Sequence, residues 1–144
     1  MKKLMISACL MGINCRYDGR NTKLSCLDDL KEQFNLIPVC PETLAGLPCP
    51  RHPLEISGNR VINNHNQDMT EVFHHGADLA MQAWKEAGCP AVLLQSRSPS
   101  CGLGLIYDGS FTGKKIPGNG VFAQKLVDAD AEVYSELELD KIKA

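Results

Sequence analysis

A chain of 144 residues, 44% of them hydrophobic, can bury a core as a single domain spanning 1–144 without covalent staples. Its 15 Lys and Arg against 17 Asp and Glu leave a net charge of −2, which argues against a duplex-binding surface dominated by basic side chains and suits a small-molecule ligand. No apolar stretch approaches the roughly 20 residues needed to cross a bilayer, and no signal-peptide core follows Met1-Lys2-Lys3. The expectation is a cytoplasmic monomer or homodimer with neither a nucleic-acid nor a membrane partner. Its seven cysteines are an odd number, and in a reducing compartment they favour metal or redox chemistry over disulfides.

In chain order, Lys3 to Ile6 is a strand-length apolar run, followed by a polar loop over residues 8–25. Leu27, Leu30 and Phe34 recur at spacings of three and four, predicting a short helix over 27–34. Leu36 to Val39 is a second strand, and the proline-rich stretch from Cys40 to Pro53 predicts neither regular helix nor strand. Ile56 to Ile62 reads as a strand interrupted by the turn signal Ser57-Gly58-Asn59. Asp68 to Ala87 is the longest predicted helix, ~30 Å at its standard rise, with an apolar stripe through Phe73, Ala80 and Trp84 and a stop at Gly88. A third strand, Ala91 to Leu94, leads into a turn over Ser98–Gly102. A hairpin around Asp108-Gly109, a short helix after Pro117, a strand near Ala131 to Tyr134 and a C-terminal helix complete the pattern. This alternation predicts an α/β fold, a single-domain Rossmann-like sandwich with a mainly parallel sheet.

Cys9, Cys40 and Cys101 each lie just beyond one of the three strands. Ligands of open α/β sheets bind outside the carboxyl ends of strands, so three thiols remote in sequence can converge there on a metal. Cys15 and Cys49 occupy loops on the same rim, whereas Cys26 opens a helix and Cys89 belongs to the opposite rim; those two read as inert thiols. No Cys-x-x-Cys knuckle is present. Thiolates select zinc, Cu(I) or iron–sulfur clusters, and three of them leave one coordination position free. Glu42, two residues past Cys40, is a candidate acid or base, or else a solvated or capping carboxylate. Ser98 and Ser100 either shape the turn before Cys101 or take part in chemistry, with Glu42 as the available base. Arg16, Tyr17 and Asp18, together with Arg51, are candidates to contact a ligand, the alternative being that the arginines pair with Asp18 and Glu55. His74 and His75 point about 100° apart on a helix, which is poor geometry for chelating one ion.

Taken together, Ser7-Ala8-Cys9-Leu10-Met11-Gly12, Cys15-Arg16-Tyr17-Asp18-Gly19, Cys40-Pro41-Glu42, Gly46-Leu47-Pro48-Cys49-Pro50-Arg51 and Arg97-Ser98-Pro99-Ser100-Cys101-Gly102 resemble the 2-thiouracil desulfidase (TudS-like) family, formerly a domain of unknown function. The likeness extends to Ile106-Tyr107-Asp108-Gly109 and Ile116-Pro117-Gly118, and so covers essentially the whole chain. The resemblance implies a [4Fe-4S] cluster on Cys9, Cys40 and Cys101 with one open iron. It also implies an acid/base Glu42, an active-site Ser98, and non-redox desulfuration of a thiolated uracil, whether 2-thiouracil, 4-thiouracil or 4-thio-UMP. Arg16, Tyr17, Asp18, Arg51 and Ser100 are then expected at the substrate. Cys49 departs from the family pattern, which usually has another residue after Gly-Leu-Pro; it could close the open iron, accept sulfur, or do neither. The alternative function is a sulfurtransferase carrying persulfide on Cys49 or Cys15.

Overall fold

The computed structural model of the chain describes residues 1–142. Its elements are β1 (Lys2–Ser7), a 3-10 turn (Ala8–Met11), α1 (Leu27–Gln33), β2 (Phe34–Val39), α2 (Pro41–Leu44), β3 (Leu54–Ser57), β4 (Arg60–Asn63), α3 (Thr70–Glu86), β5 (Ala91–Leu94), β6 (Leu105–Tyr107), β7 (Lys115–Pro117), α4 (Val121–Asp128), β8 (Val133–Ser135) and a 3-10 segment (Glu136–Lys141). The main sheet has the order β2-β1-β5-β8, and all three pairings are parallel. β1 pairs with β2 along its full length, from Lys2↔Phe34 to Ser7↔Val39.

Both faces of the sheet are covered, so its central strands are apolar without alternation. Successive side chains point to opposite faces. Met5, Val92 and Leu94 therefore pack with Ala77, Ala80 and Trp84 of α3 and Phe122 and Leu126 of α4. Leu4, Ile6 and Leu93 pack on the other face with Leu10, Leu30 and Phe34. Each such fully buried side chain is worth about 1.5–3 kcal/mol relative to exposure. The β3–β4 hairpin forms its own two-stranded sheet, and Leu54 and Val61 pack against Phe73 of α3. Among the described residues, no helix is long and apolar enough to cross a membrane.

The expected α/β architecture is present, and the differences are local. Helix was not expected after Cys40, yet α2 forms a single turn there because Pro41 occupies its first position, where a fixed φ is already helical and the missing N–H costs nothing. Phe34 starts β2 instead of ending α1; it is extended and buried at the sheet. α3 is shorter than the predicted 68–87 at its start, because the Asp68 carboxylate accepts the Thr70 N–H from outside the helix. The C-terminal helix is a 3-10 segment kinked at Glu138. Ser57-Gly58-Asn59 does split a hairpin, whose strands pair with each other.

Gly76 lets α3 pass close beneath α2: a Cβ there would lie 2.2 Å from the Pro41 carbonyl oxygen and 2.8 Å from Ala45 Cβ. Helix propensity alone favours Ala at such a position by about 1 kcal/mol. The clash is with backbone and cannot be relieved by a rotamer change. Gly76→Ala should therefore lower stability by about 1–3 kcal/mol and shift the turn that carries Cys40 and Glu42. Thermal melting checks this, and a raised melting temperature would show that the two helices can separate freely.

Candidate active site

From β1 the chain moves to β2 on one side, while β5 flanks β1 on the other, so successive connections diverge at the carboxyl ends of β1 and β5. Such a switch point opens a crevice. Cys9 enters it from the 3-10 turn after β1, Cys40 from the residue capping α2, and Cys101 from the turn after β5. These three, with Cys15, line one cleft of about 850 Å³. All seven cysteines are free thiols; Cys9, Cys15 and Cys101 are buried and Cys40 half-buried. Among the described residues no three Cys, His, Asp or Glu side chains converge closely enough for one ion. That spacing does not speak against a cubane cluster, in which each thiolate serves a different iron.

The thiols are electrostatically unequal. The neighbouring Cys40 and Cys9 thiols, together with burial, hold the Cys15 proton well above the usual thiol range. The Cys15 hydrogen bond, with help from Thr43 and against burial, lowers Cys40 to about 6. Cys9 is lowered as well, chiefly by the neighbouring Cys15 and against desolvation. Burial pushes Cys101 up, offset only in part by Ser7 and Ser100. Cys9 and Cys40 thus give up their protons more readily than Cys101, and a metal bound there would displace the protons that remain.

Glu42 sits in the first turn of α2, and its two oxygens have different partners. Oε1 accepts from Arg51 Nε at 3.2 Å and Nη2 at 3.0 Å; Oε2 accepts from Ser100 Oγ at 2.7 Å. The Arg51 and Glu42 side chains are only 6% and 11% exposed. Arg51 also donates to the carbonyls of Pro48 and Cys15, and its N–H to that of Tyr17, so it ties the loops after β1 and β2 together. Its expected partner Glu55 instead accepts from the backbone N–H groups of Gly109 and Phe111, fastening the β6–β7 loop over the cleft.

The Ser98 Oγ accepts from the N–H groups of Ser100 and Cys101, both at 3.1 Å, and so shapes the turn while lining the cleft. Ser100, expected at the substrate, also lines the cleft; it is 2% exposed, with its hydroxyl turned to Glu42. Arg16 and Tyr17 line the cleft, the guanidinium 5.8 Å above the Tyr17 ring. Asp18 stands behind them, 3.7 Å from Arg16 and accepting the Arg20 N–H. Cys49 does not line the cleft: its Sγ lies 3.1 Å from the Asn14 carbonyl oxygen and 3.0 Å from that of Arg16. Cys89 is exposed between α3 and β5, and Cys26 packs against the core.

Sequence reasoning missed two further groups. Gln95 directly follows β5, and its Oε1 accepts from Thr22 Oγ1 and, at 3.8 Å, from the Cys9 thiol. Glu136 directly follows β8 and accepts from both the N–H and the hydroxyl of Ser96, anchoring the turn before Ser98. The rule that selected the cysteines, position just past a strand, would have found both.

The profile of the 2-thiouracil desulfurase family matches residues 4–138. An uncharacterised protein of Bacillus subtilis (strain 168), YbbK, is 38% identical over 96% of this chain and 99% of its own. The solved structure of a [4Fe-4S]-dependent thiouracil desulfidase, TudS, superposes with a TM-score of 0.92 at 37% identity, covering 98% of this chain and 95% of that one. With a family match across nearly its full length, and a solved relative of the same fold, the chain belongs to the 2-thiouracil desulfurase family.

Proposed function

We propose that the chain is an iron–sulfur-dependent desulfidase that replaces the sulfur of a thiolated uracil, such as 2-thiouracil, 4-thiouracil or 4-thio-UMP, with oxygen from water. The observation that carries this reading is the meeting of Cys9, Cys40, Cys101, Glu42 and Ser98 around one cleft at the sheet's switch point. The donor set fits the cluster: three soft thiols from three rigidly held elements, free of disulfides. When bound, the cluster supplies one iron without a protein ligand, a thiophilic Lewis acid toward the thiocarbonyl sulfur.

The chain's own residues do the rest. Arg16 and Tyr17 face the substrate from one wall, and the cleft of about 850 Å³ has room for a nucleotide as well as a free base. Buried Arg51 fixes Glu42 in a single orientation, leaving Oε2 to receive a proton. Ser98 meets the attacking water. Thiocarbonyl hydrolysis converts C=S and one water to C=O, hydrosulfide and one proton, and no electron is exchanged. A persulfide carrier on Cys49 is disfavoured by the position of that thiol outside the cleft.

The test is iron and acid-labile sulfide content after anaerobic reconstitution, followed by sulfide release from each of the three substrates. About four irons per chain with sulfide release is expected. An iron-free protein that passes sulfur from a persulfide donor to a thiol acceptor would replace this function with the carrier.

A further inference from the structure

We propose that Phe111 is the platform on which the pyrimidine ring stacks, and that it selects a flat, aromatic thiocarbonyl compound over a puckered one. This rests on the desulfidase reading and adds a specificity-determining residue to it. Three aromatic side chains line the cleft: Tyr17, Tyr107 and Phe111. The Tyr17 ring lies beneath the Arg16 guanidinium, and both tyrosines carry a hydroxyl that a polar partner can use. Phe111 has only its ring to offer.

That ring is not part of the core. Phe111 is half-buried, yet it belongs to none of the three hydrophobic clusters and forms no aromatic pair among the described residues. A large apolar side chain ordinarily stabilises a fold by packing on others of its kind. Its backbone is unfavourable too: φ is +58°, in the left-handed region, where a bulky residue is an outlier. Neither core packing nor local preference accounts for a phenylalanine here, and strain of this kind collects where a ligand is held.

The surrounding loop holds the ring at the cleft. The Asp108 N–H donates to the Lys114 carbonyl at 3.0 Å and closes the neck of the β6–β7 loop. Glu55 Oε1, from β3, accepts the N–H groups of Gly109 at 3.0 Å and of Phe111 at 3.2 Å. Gly109 rests directly on β3, where a Cβ would lie 2.7 Å from Ser57 Cβ and 2.9 Å from Ser57 Cα. Ser110 and Thr112, exposed on either side of Phe111, bond to each other through their hydroxyls at 2.6 Å. The ring is thus fixed at the cleft before any ligand arrives, which lowers the ordering cost of binding. A uracil ring is flat and edged with polar groups, so stacking on one face is the contact that buries most of its apolar surface.

The experiment uses anaerobically reconstituted wild type, Phe111→Ala and Phe111→Tyr, with iron content measured for each. Uracil and 5,6-dihydrouracil are compared as competitive inhibitors of sulfide release from whichever of the three thiolated uracils is turned over. Both present the same carbonyl and N–H groups, but the dihydro ring is puckered and not aromatic, and neither carries sulfur. Wild type should bind uracil the more tightly. Phe111→Ala should keep its iron and weaken uracil by about tenfold while changing dihydrouracil by no more than about twofold. Phe111→Tyr, which keeps the ring, should restore the preference. Unchanged uracil inhibition in Phe111→Ala would overturn the stack, as would equal weakening of both inhibitors, the result expected of a residue that only shapes the cleft. No preference for uracil in the wild type, or loss of iron from both variants, would overturn it too. A wild type that holds iron but releases no sulfide from any of the three would instead remove the desulfidase reading itself.

Discussion

Replacing Cys40 by Ala should leave a folded chain that neither holds iron nor releases sulfide, whereas Cys49→Ala should change both by no more than about twofold. Both residues lie within the loop region after β2, so the contrast tests orientation. The Cys40 thiol lines the cleft beside Cys15, which with Thr43 lowers it to about 6 against burial. On the proposed function, losing it removes one of the three thiolates that would hold the cluster; the carboxylates lining the cleft are harder donors, and Glu42 is already engaged by Arg51 and Ser100. Cys9→Ala and Cys101→Ala should behave alike. The Cys49 sulfur is turned to the Asn14 and Arg16 carbonyls, and its removal costs at most a weak bond at an exposed site. Iron content and sulfide release, measured side by side, decide the matter. Turnover abolished in Cys49→Ala with iron intact would transfer the chemistry to a persulfide on that thiol.

The meeting of Cys9, Cys40 and Cys101 at one cleft was legible because the rule that finds it is local. Three short apolar runs mark three strands, and residues just past the carboxyl end of a parallel strand lie on the functional rim whatever the distant topology. Partners across loops were not legible in the same way. Arg51 is nearer in sequence to Glu55 than to Glu42, yet the loop doubles back so that the Arg51 N–H reaches the Tyr17 carbonyl and its guanidinium reaches Glu42. That path is set by tertiary hydrogen bonds, to which periodicity is blind. Ser98 and Ser100 were likewise equivalent as letters; both line the cleft, and only the turn decides that Ser98 Oγ takes the backbone N–H groups while the Ser100 hydroxyl turns to Glu42. Glu136 escaped notice because β8 is three residues long and was expected to end at Tyr134. The structure ends that strand at Ser135 and puts a carboxylate on the rim immediately after it.

Glu42→Gln should retain the cluster and lower kcat by about 10²–10⁴-fold, although the substitution preserves shape. The reason lies in the two unlike partners of the carboxylate. Oε1 meets only donors from Arg51, so the Gln carbonyl oxygen must occupy that position; an amide NH₂ there would face the guanidinium with no acceptor between them. The NH₂ is then forced toward Ser100, whose oxygen must accept where it formerly donated. The variant cannot take a proton, and it also reverses the hydrogen bond to Ser100. Arg51 loses its counter-charge in a site only 6% exposed, so stability should fall by about 1–3 kcal/mol. Denaturation of the cluster-free chain reads that cost separately from turnover. Iron retained with turnover lost places Glu42 in proton transfer; iron lost in step with turnover would make the Glu42–Arg51 pair a scaffold for the Cys40 turn and leave another group to accept the proton.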